Sequence, residues 1–326
     1  MIIEFLKKIY DYILFFIYTF FKSIFPDSSP KYKEYIDCPI KGQILYPKSD
    51  SLLLEDANSS SNIIIVVNKG IKLEYQGETK QNDEGEEYDK VKILKNKLYK
   101  KEYVGFIHRI QLSDNVFNEE RDSISINSKT KIIKEATNIL KSKAGFSMDQ
   151  LKRKDGFFNK KCDGVLYFDC SSFCSCILNR TFDFPPHKEN DDKNDVKVWS
   201  THDFFENIQK SDSNFKIVDL VNLQGACLNL KKLQIGDLIL GRASYINGGV
   251  NHIMLYAGEG NIIHCTKGKY LGIETNQMRN GVVIEKLNEV NYYTELESLK
   301  NIQRGIITKR FDVEIVVLRY KEKKYE

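Results

Sequence analysis

The stretch that most constrains the fold is residues 167–179, where two aromatic residues lead through Asp169 and Cys170 into a helical pattern. Phe173 and Ile177 lie four residues apart, so one face of this helix can be buried. Asp is a favoured N-cap residue, which places the thiol of Cys170 in the first turn. Unpaired N–H groups and the helix dipole there favour the nucleophilic thiolate. The alternative is an inert core thiol, because free Cys is among the most buried residue types.

Length and composition narrow the class of protein. A chain of 326 residues predicts one large or two medium domains, and 41% hydrophobic residues are enough for ordinary globular cores. The 49 basic and 45 acidic residues nearly balance, and no basic block is interleaved with aromatics, so nucleic acid is not an expected partner. A net charge of +4 is compatible with an anionic surface such as a bacterial wall or membrane.

The cysteine pattern argues against a disulfide framework and against a metal site. The chain has seven cysteines, and an odd number with three in one short helix does not indicate paired disulfides. Zinc sites commonly use C-x-x-C pairs, which are absent here. Cys174 and Cys176 are two residues apart, and this spacing points their thiols to different faces of a helix. We therefore expect neither a metal nor another cofactor.

The N-terminal 30 residues have the features of a membrane-directed segment. Lys7 and Lys8 precede the apolar run 12–21, which is barely long enough, with its flanks, to span a bilayer. A secretory signal peptide has the same pattern, but no small-x-small cleavage site follows. We predict an uncleaved signal-anchor helix and linker over residues 1–30. A cleaved signal, an in-plane interfacial helix and a first helix packed on another domain of a cytosolic protein are the alternatives.

Residues 31–115 are predicted to form a small β domain. Short β-like runs at 63–67, 71–75, 88–93 and 103–107 are separated by Gly, Asn and an acidic loop, a pattern typical of a barrel or sandwich. The order of their motifs resembles bacterial SH3-like wall-targeting domains. The motifs are Asn68-Lys69-Gly70-Ile71-Lys72-Leu73, Tyr88-x-x-Val91 and Val104-Gly105-Phe106-Ile107. Such modules bind rather than catalyse.

The second half of a candidate active site lies downstream of an amphipathic helix predicted at 130–143. Three short runs, 233–240, 251–257 and 262–265, predict an antiparallel meander. His252 and His264 flank its tight hairpin, which brings them close, and a Cys at a helix start needs such a base. Their side chains point to the same face of the sheet only if an odd number of residues connects the two strands, or if a β-bulge interrupts the pairing. A lone His in a strand is more often a satisfied structural residue.

The set of motifs, in this order, resembles the NlpC-type cysteine peptidases, papain-like enzymes that cut peptidoglycan stem peptides. The resemblance covers residues 130–320 approximately. Its motifs are Asp169-Cys170-Ser171-Ser172-Phe173, Ile235-Gly236-Asp237-Leu238 and His252-x-x-x-Tyr256-x-Gly258-x-Gly260-x-x-Ile263-His264. It implies an α+β, papain-like domain over 125–326, with helices packed on an antiparallel sheet.

The resemblance also assigns roles to five residues. Cys170 is the implied nucleophile, His252 the general base and His264 the residue that orients His252. Asp169 and Ser171 are the implied substrate contacts. Two departures concern the substrate pocket: Ser172 stands where the family usually has Gly, and the family's upstream aromatic and paired glycines are missing from residues 152–167.

The predicted function is hydrolysis of peptidoglycan stem peptides, of the γ-D-glutamyl-diamino acid endopeptidase type, through a Cys-His-His triad. The expected partners are this peptide substrate, the cell wall through the SH3-like domain and the membrane through the N-terminal helix. The expected location is membrane-anchored or secreted, facing the wall. The alternatives are a papain-like amidase or acyltransferase with a non-wall substrate, and a catalytically silent wall-binding protein.

Overall fold

The computed structural model describes residues 39–116, 124–184, 198–208, 210, 212–222, 232–243, 250–267, 280–287 and 313–322. The predicted signal-anchor helix and linker at 1–30 lie outside these residues. Within them, no helix combines the length and the apolar character needed to cross a bilayer.

The N-terminal part is a seven-stranded antiparallel sheet with the strand order β3-β2-β6-β5-β4-β1-β7. The four predicted strands are present, and the run 63–67 has the predicted bounds. The SH3-like assignment of this sheet stays a prediction. The strands are β1 (Ile44–Pro47), β2 (Ser51–Leu54), β3 (Ile63–Val67), β4 (Leu73–Gln81), β5 (Glu87–Ile93), β6 (Tyr103–His108) and β7 (Leu112–Ser113).

The C-terminal part contains a six-stranded antiparallel sheet with the order β10-β15-β11-β12-β13-β14. Strands β11, β12 and β13 are consecutive neighbours, which confirms the predicted meander. The strands are β10 (Phe215–Asn222), β11 (Leu238–Ala243), β12 (Val250–Gly258), β13 (Asn261–Lys267), β14 (Asn280–Lys286) and β15 (Val313–Tyr320). Two short parallel strands, β8 (Gly145–Phe146) and β9 (Tyr167–Phe168), lead towards the candidate nucleophile.

In the described part of the chain, four α-helices accompany the sheets, so the architecture is α+β. They are α1 (Ile126–Lys141), α2 (Gln150–Phe157), α3 (Cys170–Phe182) and α4 (Thr201–Ile208). Helix α1 begins earlier than the predicted residue 130, because Ser125 acts as its N-cap and accepts a hydrogen bond from Ser128 N. The helix ends at Lys141 and not at the predicted residue 143, since Lys143 already has a left-handed φ of 54°.

Helix α3 is held by the face that the sequence predicted. Phe173, Ile177 and Leu178 are buried against strands β12 and β13 and helix α1. Each side chain of this size contributes about 1.5–3 kcal/mol when it is removed from water. Gly156 of α2 lies so close to β9 that an added Cβ would meet Tyr167 O at 2.1 Å. These contacts fix the position of the segment that carries Cys170.

The two sheets share one apolar core, which contains Val66 and Phe106 of the N-terminal part together with Ile132 of α1. A buried ion pair crosses the same boundary, with Lys129 Nζ 2.6 Å from Asp50 Oδ2. Described residues from 39 onwards accordingly belong to one compact unit. The predicted boundary between a domain at 31–115 and one at 125–326 stays a prediction.

Candidate active site

The start of helix α3 is organised by a capping box. Asp169 is the N-cap, as predicted, and its carboxylate accepts a hydrogen bond from Ser172 N at 2.7 Å. The Ser172 hydroxyl in turn accepts from Asp169 N at 2.8 Å. Two backbone donors at the helix start are therefore satisfied reciprocally. The residue that departs from the usual family pattern, Ser172, is the second half of this cap.

Cys170 is partly buried at this helix start and packs against the main apolar core. Loss of water around the thiol, together with the smaller effect of the nearby Asp169 charge, raises the pKa of Cys170 to about 12. Backbone groups of Ile253, Ser171 and Cys170 itself interact with the thiol and lower the pKa. The sequence-based expectation of a lowered thiol pKa is therefore wrong for the resting state, because loss of water outweighs the helix start. A neutral thiol is the resting form.

The structure brings the two predicted histidines together. His252 Nε2 lies 2.6 Å from His264 Nδ1, and the two rings meet edge-on with centroids 4.9 Å apart. Both side chains are buried, with relative exposures of 9% and 1%. Cys170 interacts with the backbone of Ile253, the residue after His252, so helix α3 and strand β12 meet at this point.

A bulge makes the shared face possible. The β12–β13 hairpin closes with Gly258 opposite Asn261, so its turn has only two residues, Glu259 and Gly260. Both have positive φ, 57° and 74°, as the tight hairpin turn that suits twisted strands requires. A register shift before Gly258 then places Tyr256 opposite Ile262, so that even-numbered residues of β12 lie opposite even-numbered residues of β13. His264 consequently belongs to the face of His252. Of the two solutions that the sequence allowed, the chain uses the bulge.

Burial also changes the acid–base behaviour of His252. Burial, together with the smaller effect of the neighbouring His264, lowers the pKa of the imidazole to about 3. The resting pair is therefore a neutral thiol and a neutral imidazole.

A third buried group follows in line: Glu285 Oε2 of β14 lies 3.0 Å from His264 Nε2. The two side chains are only 2% and 1% exposed, respectively. The described contacts thus run from His252 through His264 to a carboxylate.

The two residues predicted to contact the substrate, Asp169 and Ser171, form a hydrogen bond with each other. Ser171 Oγ donates to Asp169 Oδ1 at 3.0 Å, and both residues are buried. The other carboxylate oxygen of Asp169 forms an ion pair with Arg153 of helix α2. A buried Nε of Arg153 has no hydrogen-bond partner among the described residues. The role of Asp169 and Ser171 in substrate binding stays a prediction.

The remaining motif, Ile235-Gly236-Asp237-Leu238, supports the sheet. Gly236 has a left-handed φ of 97°, which places it in the turn before β11. Asp237 Oδ1 accepts a hydrogen bond from Arg319 Nε at 2.7 Å, and Oδ2 accepts one from Gln234 N at 2.8 Å. These contacts tie the start of β11 to β15 and explain the motif structurally.

Two residues of the site were not found from the sequence. Glu285 lies on a strand that the sequence reading did not assign, although Val282, Val283 and Ile284 form a β-branched run. Arg153 belongs to a short, strongly basic helix that offered no signal beyond its cap, Asp149. Within the described parts of the chain, His, Cys, Asp and Glu side chains form no group of three that could hold a metal ion.

Comparison with known proteins is consistent with this site. Residues 156–291 match the NlpC/P60 family. No curated protein sequence matches the chain.

Three solved structures illustrate the structural matches. NlpC2 from Trichomonas vaginalis is 12% identical, with 86% of this chain and 73% of that one covered and a TM-score of 0.24. An NlpC/P60 family protein from Bacillus cereus is 13% identical, with 86% and 63% covered and a TM-score of 0.27. The NlpC/p60 domain of the peptidoglycan hydrolase SagA is 15% identical, with 49% and 90% covered and a TM-score of 0.24. At these TM-scores the three structures say nothing further about this fold.

The family match includes Cys170, His252, His264 and Glu285, and it spans less than half of the chain. Over residues 156–291 the chain is therefore similar to the NlpC/P60 family, a family of cysteine peptidases and cell-wall hydrolases.

Proposed function

We propose that the chain hydrolyses an amide bond of a peptidoglycan stem peptide, of the γ-D-glutamyl-diamino acid type, with Cys170, His252 and His264 as the catalytic triad. The observation that carries this proposal is the 2.6 Å contact between His252 Nε2 and His264 Nδ1, beside the strand backbone that the Cys170 thiol contacts. Nucleophile, base and orienting group are the three parts that this chemistry needs.

The reaction begins from the neutral pair. His252 takes the thiol proton as Cys170 Sγ attacks the carbonyl carbon, because the buried thiol and imidazole do not ionise beforehand. The contact with His264 occupies Nε2 of His252, so Nδ1 is the nitrogen that receives the proton. His252 then protonates the leaving amine, and water releases the acyl group from the enzyme.

The helix start supplies a site for the oxyanion. Ser172 N donates to the Asp169 side chain and Phe173 N donates to Asp169 O, so the cap uses these two donors. The N–H groups of Cys170 and Ser171 are turned to the thiol instead and lower its pKa. Donors in this position stabilise negative charge that develops next to the sulfur.

The test is product identification. Purified muropeptides are incubated with the wild-type protein and with Cys170→Ala, and the products are weighed by mass spectrometry. The proposal expects a single cut between D-glutamate and the diamino acid with the wild type and none with the variant. Products that persist with Cys170→Ala would refute the role of the nucleophile. A cut at another bond, or cutting only of non-wall amides, would refute the substrate assignment alone.

We also propose that the N-terminal sheet binds the cell wall and that residues 1–30 anchor the chain at the membrane with its catalytic part outside. The support is the antiparallel sheet of 44–113, whose motifs resemble wall-targeting modules, and the apolar run after Lys7 and Lys8. Full-length Cys170→Ala protein should sediment with purified peptidoglycan and fractionate with membranes. A full-length pool in the cytosolic fraction would contradict the location, and N-terminal sequencing distinguishes an anchor from a cleaved signal.

A further inference from the structure

We propose that Glu285 is a positioning residue of this active site: its carboxylate fixes the tautomer of His264, and His264 thereby presents His252 with Nδ1 as the proton acceptor. This inference rests on the roles proposed above for His252 and His264. Glu285, on strand β14, is the third buried member of the line of contacts that runs from His252 through His264.

The geometry requires one assignment of protons. Glu285 Oε2, when ionised, can only accept, so the 3.0 Å contact needs a proton on His264 Nε2. A neutral His264 then carries a lone pair on Nδ1, and the 2.6 Å contact needs a proton on His252 Nε2. The neutral His252 therefore has its lone pair on Nδ1. Without an acceptor at Nε2, His264 could carry its proton on Nδ1 and force the opposite tautomer on His252.

The carboxylate of Glu285 also offsets part of the free energy needed to protonate the buried His252. Burial disfavours the imidazolium form of His252, whose pKa falls to about 3. When His252 receives the thiol proton, its Nε2–H can strengthen its bond to His264 Nδ1. A carboxylate on the far side of His264 provides the opposite charge within the same buried line. The proposed action of this carboxylate is through its 3.0 Å contact with His264.

A purely structural ion pair between Glu285 and His264 is the competing interpretation. Register alone does not distinguish the two, because Glu285 pairs with Ile262 on the buried face of β13 in either case. The interpretations differ in what a neutral isostere does: a structural pair changes the unfolding free energy, whereas a positioning residue changes the proton on His264 and the reactivity of Cys170.

The test uses the full chain and no wall substrate, so that failure of the stem-peptide proposal leaves it intact. The rate constant for Cys170 alkylation by iodoacetamide is measured at pH 7 by peptide mass analysis. The same rate constant is measured for Glu285→Gln, for His264→Ala and for the double variant. The wild-type tautomer of His264 is read from its imidazole ¹⁵N shifts. Ile284→Gln is the matched control, since Ile284 is the exposed neighbour on the same strand.

The expected result is a loss of alkylation rate of roughly 10- to 100-fold in Glu285→Gln, the range typical of outer-shell partners. In the His264→Ala background the same change should have no further effect, because Glu285 acts through that imidazole. Wild-type His264 should be protonated on Nε2, and Ile284→Gln should react like the wild type. An Nδ1-protonated His264 in the wild type would overturn the proposal even if no variant folds. An unchanged alkylation rate in folded Glu285→Gln would also overturn it.

Discussion

Each of the two sheets contains a buried carboxylate in a hydrogen-bond network. The two networks differ in the partner of that carboxylate, which is a guanidinium in one sheet and an imidazole in the other. In the N-terminal sheet, Asp89 is fully buried and accepts a hydrogen bond from Arg109 Nε at 2.9 Å. In the C-terminal sheet, Glu285 lies 3.0 Å from His264. A guanidinium keeps its charge at any pH the protein meets, whereas an imidazole exchanges a proton near neutrality. The first network can only hold the fold together, and the second can also move a proton.

The surroundings reinforce this difference. The hydrogen bond to Asp89 raises the pKa of Arg109 further, and Thr79 Oγ1 lies between them, 2.6 Å from Arg109 Nη2 and 2.7 Å from Asp89 Oδ1. The guanidinium of Arg109 therefore keeps its proton. In the C-terminal sheet, burial and the neighbouring His264 lower the pKa of His252 to about 3. The buried cation is thus always present in the N-terminal network, whereas His252 is neutral at rest in the C-terminal network.

The largest expected effect is on the chemistry of the C-terminal network. His252→Gln keeps a similar volume and removes the base, so hydrolysis of the muropeptide substrate should fall by roughly 10⁴-fold or more, the scale of triad removal. The unfolding free energy at pH 7 should stay close to that of the wild type. His202→Gln is the control, because His202 is exposed and pairs only with Glu206 among the contacts described for it. Hydrolysis within tenfold of the wild type would exclude His252 as the base.

The second expected effect is on stability alone. Asp89→Ala leaves Arg109 buried without its main partner, which should cost about 3–5 kcal/mol of unfolding free energy. Glu87, 2.6 Å from Arg109 Nη1, keeps the loss at the lower end of that range. Urea unfolding followed by circular dichroism gives the loss, and kcat per folded molecule should not change.

Asp56→Ala is the control for this prediction, since Asp56 lies in an exposed pair with Lys80 and its removal should leave the unfolding midpoint unchanged. A fall of kcat in folded Asp89→Ala would contradict the division between the two networks.

The third effect is a pH dependence that belongs to the C-terminal network. The folded-state pKa of His252 is about 3, below its usual value of 6.5, so the unfolded chain binds a proton that the folded chain does not. Stability therefore falls as the pH decreases below about 6.5, by about 2 kcal/mol between pH 7 and pH 5. Urea unfolding of the wild type and of His252→Gln at both pH values isolates this contribution. Equal losses in the two proteins would show that His252 does not carry it.

Local signals accounted for the parts of the site that lie within one element. The helix that starts at Cys170 followed from its cap, Asp169, and from the spacing of Phe173 and Ile177, all within one turn or two. The meander followed from alternating apolar runs with turn residues between them. Each of these features depends on neighbours in sequence, which a single chain displays directly.

Non-local features could not be read in the same way. The parity of His264 depended on a bulge, and the glycines at 258 and 260 allowed either that bulge or an odd loop. Glu285 joins the site only through the pairing of β14 with β13, whose register the sequence does not reveal. The raised pKa of Cys170 comes from burial by distant strands, which outweighs the local helix start.

The smallest expected effect is that of Ser172→Ala, which tests whether Ser172 only stabilises the start of helix α3 or also takes part in the reaction. This buried residue stands next to Ser171 and two positions after the nucleophile, yet its hydroxyl serves the cap and accepts from Asp169 N at 2.8 Å. Ser172→Ala removes that acceptor and should cost about 1 kcal/mol of unfolding free energy, as lost caps do. The carboxylate of Asp169 keeps its hydrogen bond from Ser172 N, so helix α3 should still begin at Cys170.

The alkylation rate of Cys170 in Ser172→Ala should consequently stay within about threefold of the wild type, since the 1 kcal/mol is lost from the unfolding free energy and not from the activation free energy of the reaction. Ser142→Ala, at the C-cap of α1, is the comparison variant outside the site. A loss of reactivity of 100-fold in Ser172→Ala, with a change in stability no larger than that of Ser142→Ala, would move Ser172 from the cap into the catalytic machinery.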